Sequence, residues 1–333
     1  MSSARVTVTL RQPVHVGTGP LPDYRNPTHL HVPGSVLRGA CAAVWIRRFG
    51  APEPGTRHRS AFLDVFEGEG VFGPLHAPGG LPEPISVLKH KYRPGPRCTR
   101  LWWDRSRGET AEQCDVCRQR LEPAKGQIDE DSVVLTRRAR AALDTEGVAI
   151  DQQLFRKDTL WPRQQFTGWV SGTAVHAFES VDTLWLGGSR STGGTATVEI
   201  DPDAEPELLE RDGGRLILRL ASPGIFVDVA GLPTAVPDTT ELAAALGVDR
   251  VTIDPHARWS RWAETAGWHA AAGLAKPTER VAGPGSTYVI ECDPVPSDDA
   301  VRGLSVRGIG LRRREGFGAL CPPLVAPTGS EVA

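Results

Sequence analysis

The chain has 333 residues, of which 40% are hydrophobic, and its formal net charge at pH 7 is −2. This length is typical of two domains with packed cores, and the small charge excludes a protein that coats nucleic acid with its whole surface. No apolar run approaches the roughly 18 residues of a membrane helix, and the first ten residues, MSSARVTVTL, lack an apolar signal core. We therefore expect a cytoplasmic protein with no membrane contact, in which any nucleic-acid site is a local cluster of arginines.

The first half of the chain begins with alternating residues, RVTVTL at Arg5–Leu10, that predict a half-buried strand. A short strand, HLHV, precedes a helix in PGSVLRGACAAVWIRRFG, with Ser35 as the expected N-cap and Gly50 as the expected end. Residues 52–130 give no clear pattern. Two apolar stretches around a Thr-Glu-Gly turn predict a projecting hairpin at about 133–160, and QFTGWVSGTAV and TATVEI predict further strands.

The second half begins after an acidic segment, DPDAEPELLERDGG, which predicts a domain boundary near residues 201–214. RLILRL and STYVIECD predict strands, and DTTELAAALG predicts a short capped helix. A second helix is expected in SDDAVRGLSVRG, with Ser297 as its cap and acidic residues in its first turn. GALCPPLV predicts an end strand. The sequence thus predicts an α+β fold of two units, each with an antiparallel sheet and few helices.

A loop rich in glycine and arginine, RGIGLRRREGFG, lies before that end strand. Glycine allows positive φ and close approach to the backbone, whose N–H groups can bind anions, and guanidinium groups pair well with phosphate. No Gly-Lys-Ser/Thr follows, so the loop is not a P-loop. A solvated turn between helix and strand is the alternative. The candidate phosphate-binding residues are Gly308, Gly310, Arg312, Arg313, Arg314, Gly316 and Gly318.

A cluster of metal-ligand residues lies in the unpatterned segment. Cys114 and Cys117 form a C-x-x-C pair, and Cys98 and His90 lie upstream. Three thiolates and an imidazole predict a closed tetrahedral site for structural zinc, which would stabilise a segment with little apolar content. Free cysteines and a redox pair are the alternatives, although no thioredoxin-like βαβ pattern surrounds the pair.

HVPGSVLRGACAAVW and GIGLRRREGFG together resemble the RAMP superfamily, the repeat-associated proteins of CRISPR effector complexes. GVAIDQQLF with QFTGWVSG resembles the thumb hairpin of that family and its next strand, and LASPGIFVDVAGLP resembles the opening of a second domain. The resemblance covers most of the chain and is closest to the large two-domain, Cas-five-like RAMP subunit of type III-D systems. That subunit tends to have Cys-Lys at the position where this chain has His90-Lys91. The ligand type therefore differs from the family pattern, which leaves the identity of the fourth ligand open. His76 is the substitute for His90.

The resemblance implies two ferredoxin-like (RRM-like) domains, at residues 1–205 and 213–326. A zinc-knuckle-like insertion is expected at about 76–128, and the thumb hairpin at about 133–160. The implied role is to grip the 5′ handle of a guide RNA beside the large signalling subunit, the RAMP backbone subunits and the small subunit, with target RNA contacted indirectly. Besides the glycine loop, the implied RNA-binding residues are Ser35, Arg38, Arg137, Arg138, Arg140 and Arg190.

Catalysis is the competing class of function. A guide-processing endoribonuclease would use His15, His29 or His31 as general acid or base. A RAMP backbone subunit that cleaves target RNA would use a divalent metal and a loop aspartate, Asp23 or Asp151. A purely structural subunit, whose glycine loop contacts protein, is the third class. We predict a non-catalytic RNA-binding subunit.

Overall fold

The computed structural model of the protein describes residues 2–18, 25–94, 98–179, 181–188, 193–269 and 273–324. Among these residues no helix is long and apolar enough to span a membrane. The elements up to residue 201 are β1 (Ser3–Leu10), β2 (Arg25–Asn26), α1 (Gly34–Phe49), α2 (Arg59–Phe66), β3 (Val71–Phe72), β4 (Val87–His90), β5 (Trp102–Asp104), β6 (Leu121–Pro123), β7 (Leu135–Leu143), β8 (Ala149–Leu160), β9 (Gln165–Ser171), β10 (Thr183–Trp185) and β11 (Thr195–Asp201).

The elements of the second half follow in the same notation. They are β12 (Arg211–Asp212), β13 (Arg215–Arg219), β14 (Phe226–Val227), β15 (Pro233–Thr234), α3 (Thr239–Leu246), β16 (Arg250–Trp259), β17 (Trp262–His269), β18 (Leu274–Ala282), β19 (Thr287–Asp293) and α4 (Asp298–Arg307). Short 3₁₀ helices lie at Arg105–Arg107, Glu130–Ser132, Gly172–Phe178 and Arg313–Glu315.

The largest sheet is antiparallel and has the strand order β10-β11-β1-β9-β3. Its central strand β1 buries every second side chain, as the alternating sequence predicts: Ala4, Val6, Val8 and Leu10. Helix α1 covers that face with Leu37, Ala40 and Cys41. The second sheet has the order β12-β13-β19-β16 and its own core under α3 and α4.

Both sheets share one chain path. In the first, β1 is followed by α1, β3, β9, the 3₁₀ helix Gly172–Phe178 and β11, and the order across the sheet is fourth, first, third, second strand. In the second, β13 is followed by α3, β16, β19 and α4. Its fourth strand is reduced to a bridge between Leu320 and Leu220, because Pro322 and Pro323 carry no N–H to extend it.

Both units carry an insertion between their second and third strands. In the first unit this insertion holds the small sheet β5-β4-β6 and then the hairpin β7-β8, to which β2 adds a parallel third strand. In the second unit it holds the hairpin β17-β18. The α+β class is therefore confirmed, and β7 and β8 form an antiparallel hairpin within the predicted range 133–160. The division at 205–213 stays a prediction.

A serine N-cap was predicted for each of two helices, and the structure confirms one of them. Ser297 caps α4, since its Oγ accepts the N–H of Ala300 at 3.2 Å. Ser35 does not cap α1, which begins at Gly34 after Pro33 and has no side-chain cap. The carbonyl of Pro33 instead accepts the first helical N–H groups, from Val36 and Leu37.

Two segments predicted as strands, HLHV and GALCPPLV, hold only isolated bridges, and α2 was not predicted.

Candidate metal centre and anion-binding surface

The four predicted metal ligands come together in the small sheet β5-β4-β6. One ligand atom from each of His90, Cys98, Cys114 and Cys117 lies within 4.8 Å of the others. Cys98 Sγ is 3.4 Å from His90 Nε2 and 3.4 Å from Cys114 Sγ. This Cys₃His set is one of the closed sets that hold structural zinc. Its convergence favours a metal site over an isolated redox pair.

The local backbone prepares Cys114 to bind a cation as a thiolate. Burial by itself raises the pKa of its thiol, but the N–H groups of Cys117 and Val116 and a hydrogen bond from His90 outweigh it and lower the pKa to about 6. The Cys117 N–H lies 3.4 Å from Cys114 Sγ. Arg118, which follows, has a φ of 58° and turns the chain back toward β6. These residues suit a divalent cation, whose ligands must be deprotonated.

His76, the substitute ligand, is not part of this cluster, so the substitution is wrong. It lies in the first unit, where its Nδ1 is 2.9 Å from the carbonyl of Gly80 and its ring stacks on His31 at 5.0 Å. The ring of His90 instead meets Trp103 edge-on at 5.4 Å. A small apolar core of Leu88, Trp103 and Leu121 surrounds the metal ligands.

A buried ion pair joins the metal-binding sheet to the second unit. Asp104, at the end of β5, accepts a hydrogen bond of 2.7 Å from Arg219 of β13, and both side chains are almost fully buried. Arg219 also donates to Glu210 at 2.8 Å, and Arg107 contacts the same carboxylate. The position of the candidate metal site is thus linked to the core of the second unit.

The four glycines of the C-terminal loop lie against other segments of this chain. All four have positive φ, between 66° and 84°. A Cβ on Gly318 would meet the carbonyl of Ile309 at 1.8 Å, and one on Gly316 would lie 2.7 Å from the carbonyl of Phe72. Gly308 and Gly310 are equally close to backbone carbonyls, those of Gly318 and Ile225. Their lack of a side chain is therefore required by packing within the protein.

The three arginines of this loop each contact a carboxylate. Arg312 binds Glu315 and Glu279, and together with Lys276 it lowers the pKa of Glu315 to about 2 against the opposing effect of burial. Arg313 binds Glu241 of α3 at 2.9 Å, and Arg314 lies 3.6 Å from the carboxylate of Glu67, the residue after α2. Their side chains are 27%, 34% and 44% exposed, so each also faces solvent.

The beginning of α1 packs directly against this loop. A Cβ on Gly34 would lie 2.7 Å from the Cα of Gly316. Arg38 donates to the carbonyl of Phe66 at 2.8 Å and binds Glu67, the same carboxylate that Arg314 approaches. The structure thus brings together Ser35, Arg38 and the glycine loop, which are far apart in sequence.

The hairpin β7-β8 carries the other predicted arginines. Arg137 and Arg138 are exposed, and Arg137 lies 3.7 Å from Asp158 and 3.6 Å from Glu130. Arg140 lies opposite Phe155 in the strand register, and its side chain is outside the described part. Asp23 and Arg190 lie outside the described residues, as does the side chain of Asp151.

Three basic residues of this sheet were missed by sequence reasoning. Arg138 lies opposite Lys157 in the antiparallel pair, and Arg25 of β2 lies beside Arg156 in the parallel pair. Lys157 and Arg156 are successive residues, so they point to opposite faces. Both faces of the hairpin therefore concentrate positive charge, which a polyanion would neutralise.

The histidines considered for catalysis lie in the first unit as a packed group. His29 and His31 are 5.2 Å apart at their ring centres, and His76 stacks on His31. Burial lowers the pKa of His29 to about 4 and that of His76 to about 4. His15 Nδ1 contacts the carbonyl of Asp158 at 2.8 Å. These rings are neutral at pH 7 and are held by packing.

No protein-family model matches the chain, and no curated protein matches it. Among solved structures, the chain is similar to one in a cryo-EM structure of "the Type III-B Cmr-beta bound to cognate target RNA and AMPPnP, state 1", with 12% identity, 86% of each chain covered and a TM-score of 0.50. It also matches "an RAMP protein binding different RNA substrates", with 9% identity, 96% of this chain and 98% of that chain covered and a TM-score of 0.40. At sequence identities this low, the similarity is evidence for the fold alone. Of the two structures, the first, with a TM-score of 0.50, supports that conclusion. The chain therefore has a fold similar to that of a chain in a type III-B CRISPR structure.

Proposed function

We propose that the chain is a non-catalytic RNA-binding subunit of a type III CRISPR ribonucleoprotein, of the RAMP kind. It holds the guide RNA, chiefly the 5′ handle, in the cytoplasm. The fold likeness supports the structural class. The order fourth, first, third, second in both sheets supports two ferredoxin-like domains, at about 1–205 and 213–326. The Cys₃His cluster supports a zinc-knuckle-like insertion.

The observation that carries the proposal is the paired positive charge on the hairpin sheet. Arg138 faces Lys157 across β7 and β8, and Arg25 lies beside Arg156 across β2 and β8. These four side chains place positive charge on both faces of the hairpin sheet. Phosphates along an RNA strand would pair with these cations, and each neutralised phosphate also releases counterions, which favours binding. A hairpin with charge on both faces suits insertion between segments of a guide strand.

The glycine loop takes a second part in this proposal. Its glycines pack closely against the beginning of α1 and neighbouring backbone, so the loop that carries the arginines is held in place by contacts within the protein. Arg314 is the most exposed of the three arginines; it donates a hydrogen bond of 2.6 Å to the backbone carbonyl of Glu67, whose carboxylate is 3.6 Å away. We expect it to reach a handle phosphate first. Arg312 and Arg313 would bind RNA only by exchanging Glu279 and Glu241 for phosphate.

The proposed partners follow from the same role. A subunit that holds the guide 5′ end lies beside the large signalling subunit and the first RAMP backbone subunit, with the small subunit further along. Target RNA then meets this chain only through the guide. Binding by backbone phosphates and 2′-hydroxyls would be largely independent of sequence.

Fluorescence anisotropy with labelled single-stranded RNA tests the proposal. The double variant Arg138→Ala/Arg156→Ala should bind more weakly and should lower the slope of log K against log salt by about 1.4, since each lost phosphate contact lowers it by about 0.7. Arg57→Ala removes an exposed charge in the loop before α2 and serves as the matched control. Equal affinity and equal slope for the wild type and the double variant would refute the hairpin as the RNA-binding element.

A further inference from the structure

An open cleft of about 490 Å³ lies beside the metal ligands, on the small sheet β5-β4-β6. This volume is within the range of small-ligand sites, roughly 300–1,000 Å³. Its lining includes His90, one of the four candidate metal ligands. The polar and aromatic side chains that line the cleft include Lys89, Lys91, Tyr92, Arg93, Glu122 and Lys125.

The charge at the cleft is unbalanced toward positive. Lys89 is neutralised by Glu83, whose two carboxylate oxygens lie 2.6 and 2.8 Å from its ammonium nitrogen. Within the described residues, the side chains of Arg93 and Lys125 have no carboxylate partner, and both residues are exposed. The Lys91 ammonium lies 5.5 Å from the centre of the Tyr92 ring. Lys91, Arg93 and Lys125 therefore give the cleft lining an excess of positive charge, which would attract an anion.

The same cleft presents an aromatic ring to solvent. Tyr92 is 67% exposed, although a ring of this size gains most by burial. One ring face attracts the Lys91 ammonium, and a planar base can stack on the ring because every base has a π-face. Glu122 of β6, opposite Lys89 in the strand register, lines the same cleft, and its carboxylate would accept N–H groups from the edge of a base.

An exposed aromatic ring, three cations and a carboxylate in one cleft match the parts of a single nucleotide. We propose that this cleft binds one nucleotide of an RNA strand, with its base on Tyr92 and its phosphate held by Lys91, Arg93 and Lys125. The inference rests on the proposed function, and it adds a site on the insertion that holds the candidate metal ligands, with none of its lining residues in the hairpin or the glycine loop. A free mononucleotide offers the same chemistry and is the other source to distinguish.

The test uses the full-length protein purified with zinc and three variants. Tyr92→Ala should weaken binding of a short single-stranded RNA by about fivefold or more, which is the lower end for loss of one stacked base. Tyr92→Phe keeps the ring and should keep the affinity. Lys125→Ala should lower the slope of log K against log salt by about 0.7. Arg57→Ala, an exposed cation outside the cleft, is the control. Zinc content and melting temperature verify that each variant is folded.

Photocrosslinking with RNA that contains 4-thiouridine provides the second readout. The crosslink should map to the peptide that contains Tyr92, and an excess of mononucleotide should compete only weakly. If the wild type binds RNA while Tyr92→Ala and Lys125→Ala bind as tightly as Arg57→Ala, the cleft inference is overturned and the proposed function stands. If the wild type binds no RNA, both are overturned. A mononucleotide that binds as tightly as the strand would overturn the strand as the ligand.

Discussion

Replacing Asp104 with alanine should destabilise the protein strongly, because it leaves Arg219 buried without its closest anion. The two side chains are 0% and 2% exposed and 2.7 Å apart. Burial by itself would raise the pKa of Asp104, but the Arg219 charge and hydrogen bonds from Ser106 outweigh it and hold the pKa below its usual value. The carboxylate is therefore charged at pH 7, and its removal leaves the buried positive charge of Arg219 without its closest neutralising group.

The size of the effect follows from the remaining partner. Removal of one member of a buried pair costs about 3–5 kcal/mol, and Glu210 still neutralises part of the Arg219 charge at 2.8 Å. We expect a loss near the lower end, about 3 kcal/mol of unfolding free energy. The exposed pair Arg5–Asp201, with side chains 50% and 46% exposed, is the matched control, and Arg5→Ala should cost less than about 1 kcal/mol.

Urea unfolding followed by tryptophan fluorescence measures these changes. The double variant Asp104→Ala/Arg219→Met should lose less than the sum of the two single variants, since it leaves no uncompensated charge. A loss for Asp104→Ala no larger than that for Arg5→Ala would refute the reasoning. So would a strictly additive cycle, because the two groups would then not be coupled.

Three further predictions concern the loop, the metal and the buried histidines. Gly316→Ala should cost about 2 kcal/mol or more in urea unfolding, because its φ is +84° and a Cβ would lie 2.7 Å from the Phe72 carbonyl; Gly39→Ala, in α1 with open space around it, should instead stabilise by about 0.5–1 kcal/mol, and equal effects would contradict this account. Cys114→Ser should reduce zinc content, measured by plasma mass spectrometry, and lower the melting temperature; unchanged zinc content would exclude this ligand. Burial lowers the pKa of His76 from 6.5 to about 4. On acidification the unfolded chain therefore binds the proton at a higher pH than the folded protein does, and protonation favours unfolding. The contribution of His76 to the free energy of unfolding is fully present above about pH 6.5 and is reduced by about 2 kcal/mol at pH 5. His76→Gln should remove that part of the pH dependence, and an identical pH profile would contradict the assignment.

Local patterns predicted the elements whose signals lie within a few residues. The alternation in β1 needs only the period of a strand, and the Ser297 cap needs only its own N-terminal turn. The metal ligands were found because Cys, His and their spacing carry chemistry that few other roles require. The cap of α1 was misplaced because Pro33, one position before Gly34, ends the extended segment by itself.

Contacts between distant segments could not be predicted. Nothing near Gly316 in sequence indicates that it meets Gly34, so the loop glycines suggested a ligand where packing against the first unit accounts for them. The partners of the loop arginines come from α3, β18 and the residue after α2. The charge on the hairpin also depends on register, because Arg25 joins Arg156 only when β2 pairs with β8.

Sequencing of the RNA that co-purifies with the chain tests the central claim most directly. The chain would be expressed with its neighbouring genes and isolated as the assembled complex, in the wild-type form and as Arg138→Ala/Arg156→Ala. We predict short RNAs with a uniform 5′ tag in the wild type and their loss or depletion in the variant. Absence of RNA from the wild-type complex, or RNA without a common 5′ end, would contradict a role in holding the guide 5′ handle.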